Sequence, residues 1–91
     1  MVEDEPDPVL RGLREQISAI DRAIVEAVNE RLRLVARLKQ FKDEHGIAFV
    51  DAQREAALYE ERARENGGPL SDEGLRAFYA DLLALTKREV L

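Results

Sequence analysis

The sequence predicts an all-α protein of three helices, one long and two shorter, that pairs with a second copy of itself. Three observations predict it. Apolar residues step by three and four from Leu10 to Phe41 with no proline between them. No segment alternates apolar and polar residues over a useful length, so strands are not expected. The long helix also has no compact home in a monomer of 91 residues, whose radius of gyration would be about 12 Å.

The first helix starts near Asp7-Pro8, an N-cap residue followed by a proline suited to the first helical position. It runs to about Glu44, and His45-Gly46 ends it, with Gly46 available for a left-handed cap. That makes roughly 35 residues, or about 50 Å. Asp51 is a good N-cap for the second helix, which ends near Gly67-Gly68-Pro69. Ser71 caps the third, with Leu70 and Leu75 placed for a hydrophobic staple. Asp72 and Glu73 suit its positive end, and Lys87 and Arg88 its negative end. Leu75, Phe78, Tyr79, Leu82, Leu83 and Thr86 form its buried stripe. Ile47 to Val50 reads as a loop that packs. Residues 1–9, acidic and carrying Pro6 and Pro8, read as a disordered tail, and residues 10–91 as the helical domain.

Composition bounds the chemistry. Cysteine is absent and histidine occurs once, so thiolate or His-rich metal sites and a Ser-His-Asp triad are not expected, nor is any metal or cofactor. His45 reads as an exposed residue at a helix end. The net charge of −5 argues against nucleic acid as a partner. No apolar run is long enough to span a membrane, and the start lacks the pattern of a signal peptide, so a cytoplasmic setting is expected. Yet there are eleven Arg against three Lys, and Arg suits bidentate carboxylate recognition.

The seam of the first helix holds Leu10, Leu13, Ile17, Ile20, Ile24, Ala27, Leu34, Leu38 and Phe41. Its missing member is Arg31, either a register device or a functional group. A neighbouring stripe carries Arg14, Asp21, Arg31 and Lys42 among apolar residues. Arg31 and Lys42 are eleven residues apart, about 16 Å along the axis and about 20° past three full turns. Their long side chains share a face and can converge on one small ligand. Arg14 lies about 25 Å from Arg31 and about 100° around; it can join the same ligand only from another chain. In the second helix, Asp51, Arg54 and Glu55 fall at i, i+3 and i+4. They form either a cap with a surface ion pair or a polar cluster able to bind a carboxylate and hydroxyls.

Leu13-Arg14-Glu15-Gln16-Ile17-Ser18-Ala19-Ile20-Asp21, then Asn29-Glu30-Arg31, Lys42, and Asp51-Ala52-Gln53-Arg54-Glu55 together resemble the all-helical (AroQ-type) chorismate mutase family. The resemblance covers about residues 10–90. It implies an intertwined homodimer of three-helix chains and the rearrangement of chorismate to prephenate in aromatic amino acid biosynthesis. By resemblance, Arg14 is donated across the interface and Arg31 binds a substrate carboxylate. Lys42 bonds the ether oxygen and a carboxylate. Asp51 and Glu55 hold the substrate hydroxyl region, Arg54 supports a carboxylate, and Thr86 falls near another. The family's second ether contact, a Gln or Glu, aligns with Val90, which can neither donate nor accept; either that contact is missing, or the C-terminal turn shifts so that Glu89 or Lys87 substitutes. The pericyclic reaction needs no nucleophile, metal or general base, in keeping with this composition. The alternatives are isochorismate-pyruvate lyase, which resembles the mutase but lacks the acid pair Asp51 and Glu55, or aminodeoxychorismate mutase on the same scaffold, or a non-catalytic dimerisation module, which leaves Arg31 unexplained.

Overall fold

The computed structural model describes residues 7–91. Three helices follow one another: α1, Pro8–Glu44; α2, Ala52–Glu65; and α3, Asp72–Val90. Among the described residues there is no strand, so the all-α expectation holds. The chain divides into two compact units, one ending at Arg33 and one spanning Leu34–Leu91.

The first unit is the N-terminal part of α1. Asp7 Oδ1 accepts from the backbone N–H of Val9 at 2.9 Å and of Leu10 at 3.4 Å. These bonds satisfy two of the donors that a helix start leaves open. Of the expected tail, residues 1–6 lie outside the described residues, and Pro8 and Val9 belong instead to the first turn of α1. The seam is in place but uncovered: Ile17, Ile20 and Ile24 are 59%, 61% and 49% exposed. Leu13, Gln16, Ile17, Ile20 and Asp21 line a shallow groove along this stretch. No residue of α1 is buried.

The second unit holds the end of α1, the loop after it, and α2 packed on α3. Gly46, at φ +66°, closes α1 in the left-handed conformation. Ile47 N–H donates to Lys42 O at 2.8 Å and Gly46 N–H to Asp43 O at 3.4 Å. This is the paired closure that an αL glycine permits. His45 is exposed, stacks on Phe41 with ring centroids 4.0 Å apart, and places Nδ1 2.8 Å from Phe41 O. Residues 47–50 form a loop in which Phe49 is half-buried while Ile47 and Val50 stay exposed.

α2 ends at Glu65, before the glycines, because Asn66 takes over the chain's hydrogen bonding. Its side-chain amide donates to Leu70 O at 2.8 Å, and its Oδ1 accepts from Gly68 N–H at 3.1 Å. Gly68, at φ +79°, makes the turn that a side chain would strain. Ser71 Oγ accepts from Gly74 N–H at 2.9 Å, the expected cap. Arg76 stands over the Tyr59 ring at 4.4 Å, tying α3 to α2. Glu65, bonded to the Arg62 guanidinium, raises that group's pKa further above its ordinary value.

Leu75 and Thr86 are the buried residues of α3. They lie eleven positions apart and so on nearly the same line. Tyr79, Leu82 and Leu83 are half-buried beside them. Phe78, expected in the core, is 51% exposed. It sits about 60° around the helix from Leu75, off the line that the buried Leu75 and Thr86 share.

Candidate active site

Two of the predicted site residues lie in the first unit. Arg14 is exposed and Arg31 half-buried on α1. They stand seventeen positions apart on an unbroken helix, about 25 Å along the axis. One α1 therefore cannot bring both guanidinium groups to the same small molecule.

The second unit carries the rest. Lys42 stands in the last turn of α1 and is half-buried. The closure at Gly46 turns the chain back, and the Lys42 ammonium donates to Phe49 O at 3.2 Å. The same ammonium lies 5.7 Å from the centroid of the Phe49 ring, within reach of a cation–π attraction. The loop thus fixes a lysine whose four-carbon stem would otherwise sample many rotamers. This partner has no sequence signature, since a backbone carbonyl belongs to every residue.

Asp51, Arg54 and Glu55 occupy one turn. Asp51 is the N-cap of α2, and its Oδ1 accepts from both Gln53 N–H and Arg54 N–H at 3.1 Å. Both cap bonds go to Oδ1, so the expected cap does not consume Oδ2. Arg54 is exposed and Glu55 half-buried. Glu55 faces a partner that sequence reasoning did not pair with it: Lys87 of α3, with Nζ 3.1 Å from Oε2. The charges are complementary, but a separation of 32 residues carries no periodic signal.

Thr86 is 4% exposed and its hydroxyl donates to Leu82 O at 2.7 Å, one turn back. Val90 is half-buried at the end of α3 and offers no polar side-chain atom. Among the described residues, no group of three or more His, Asp or Glu could hold a metal ion, and no helix is long and apolar enough to cross a membrane. The donors are Lys and Arg, and the acceptors are carboxylates at a helix start. Such groups have the chemistry to bind and orient an anionic, hydroxylated small molecule.

Comparison with known proteins points the same way. A sequence model of the family described as "Chorismate mutase type II" matches residues 13–90. The chain is 34% identical to the T-protein of Enterobacter agglomerans over 56 residues, 62% of this chain and 15% of that protein. It is 32% identical over 56 residues to the T-protein of Haemophilus influenzae. It is 29% identical over 79 residues to the bifunctional chorismate mutase/prephenate dehydratase of Aquifex aeolicus, 82% of this chain and 22% of that protein. The chain thus spans less than a quarter of the length of these relatives. No solved structure is a significant match.

Proposed function

The chain belongs to the chorismate mutase type II family, and on that premise we propose that it converts chorismate to prephenate. One observation carries the reading. The matched span, residues 13–90, takes in every residue of the candidate site, from Arg14 to Val90.

The chemistry fits the residues. Chorismate is a small dianion, and its rearrangement breaks one C–O bond and forms one C–C bond in a single pericyclic step. The protein's task is to hold a chair-like conformer and place cations where negative charge grows on the ether oxygen. On this reading Arg31 and Lys42, both on α1, bind a carboxylate, and Lys42 also donates to the ether oxygen. Lys42 then exchanges its bond to Phe49 O for substrate. Asp51, through Oδ2, and Glu55 hold the substrate hydroxyl, and Arg54 supports a carboxylate. Thr86 enters with its proton on Leu82 O, so donation to a substrate carboxylate requires the hydroxyl to rotate. Val90 leaves the ether oxygen without a second donor, which throws more of the stabilisation onto Lys42.

The reading also gives the uncovered seam of α1 its partner. Two copies pair along it in an intertwined homodimer, and each donates Arg14 to the other's site. The reading keeps the cytoplasm as its setting.

The test is a cofactor-free assay with chorismate, isochorismate and aminodeoxychorismate side by side. Chorismate is depleted and prephenate appears at the matching rate, while the other two react slowly or not at all. No turnover of chorismate above background at millimolar substrate refutes the proposal. Release of pyruvate from isochorismate as the faster reaction moves the chain to the lyase activity.

A further inference from the structure

Lys87 lies in the last turn of α3, where its position alone explains it as a cation complementing the helix dipole. The structure gives it a specific partner. Its Nζ is 3.1 Å from Oε2 of Glu55 and 3.4 Å from Oε1. The contact joins the end of α3 to the first turn of α2. The two side chains are 37% and 28% exposed, so the pair is shielded without being buried.

A glutamate on a helix has three side-chain torsions and several open rotamers. One cation near both oxygens restricts them together. It also offsets a negative charge that would otherwise repel a dianion brought beside it. We propose that Lys87 is a positioning residue for the rearrangement: it holds the Glu55 carboxylate in one orientation and balances its charge, so that Glu55 can meet the substrate hydroxyl. This rests on the assignment of Glu55 to the substrate site made above.

A purely structural role predicts something different. Ion pairs this exposed contribute little to folding, and the buried residues of α3 are Leu75 and Thr86, not Lys87. Misplacing a substrate-contacting group, by contrast, costs turnover. The two roles therefore separate in the measurements.

The experiment compares kcat, KM and thermal unfolding of the full chain and its Lys87→Met, Lys87→Gln, Lys87→Arg, Glu55→Gln and Glu55→Gln/Lys87→Met variants, with chorismate as substrate. Lys87→Met and Lys87→Gln are expected to lower kcat/KM roughly tenfold, with the melting temperature nearly unchanged. Lys87→Arg recovers most of the loss, because it keeps the cation. The double variant is no worse than Glu55→Gln alone, because Lys87 acts through Glu55. Unchanged kcat/KM in both neutral variants overturns the inference, as do losses that multiply in the double variant or a Lys87→Arg enzyme no better than Lys87→Met. A wild-type chain without turnover sinks the proposed function and this inference together. An active wild type whose neutral Lys87 variants match it overturns this inference alone.

Discussion

Helix α1 has 37 residues and buries none of them, whereas α3, with 19 and packed on α2, buries Leu75 and Thr86. The contrast does not come from composition. The seam of α1 is as apolar as the stripe of α3, and its leucines and isoleucines keep strict register over nine turns or so. What differs is coverage. α3 has a neighbour a short loop away, while the isoleucines of α1 stand 49% to 61% exposed. Exposed apolar residues scattered singly need no explanation, but a continuous stripe marks a surface that something covers. Here the proposed occupant is the same seam on a second copy.

The largest expected effect breaks that seam. Ile20→Asp with Ile24→Asp removes two side chains that would each contribute about 1.5–3 kcal/mol on burial, and it adds carboxylates that resist desolvation. The variant should sediment as a monomer at concentrations where the parent is a dimer, with much of its helical circular dichroism lost. A parent chain that sediments as a monomer refutes the pairing outright. Matching changes on the exposed side of α1, such as Arg22→Asp, should leave the assembly intact.

Local chemistry explains which features were legible in the sequence. Asp7, Asp51 and Ser71 cap the helices that their types and positions predict, and Gly46 closes α1 at φ +66°. Each of these acts over four or five residues, a range that a sequence displays directly. The end of α2 was less legible, because Asn66 spends both its amide and its carbonyl on the connection and stops the helix before Gly67. Phe78 stays 51% exposed in the single chain, because a stripe on a helix says nothing about how wide its neighbour is. The partners of the site residues were least legible. Lys42 finds a backbone carbonyl seven residues on, and Glu55 finds Lys87 across the α2–α3 packing. Both depend on tertiary placement, which no spacing rule encodes.

The next effect sharpens the comparison by making the two regions report on each other. Arg31→Ala should lower kcat by about a hundred- to a thousandfold, the usual cost of removing one preorganised donor. Arg14→Ala should be similarly impaired. Both substitutions lie in the uncovered region, yet the proposal gives them to different chains at each site. Mixing the two variants with subunit exchange then rebuilds one intact site per heterodimer. With random pairing in a two-fold dimer, activity should return to about a quarter of the parent's. If heterodimers form and activity does not return, Arg14 acts within its own chain or not at all.

The smallest effect lies at the start of α2, where one side chain has two tasks. Asp51 caps the helix through Oδ1 and, in the proposed site, meets the substrate hydroxyl through Oδ2. Asp51→Ala loses both and should cost about 1 kcal/mol of stability, the typical value of a lost cap. Asp51→Asn separates the tasks. Asn caps as well as Asp, so denaturant midpoints should stay close to the parent's. The amide now presents a donor where the carboxylate accepted, so KM for chorismate should rise while stability holds. An Asn variant with parental KM would return Asp51 to the role of a helix cap alone, and leave Glu55 as the acid that holds the hydroxyl.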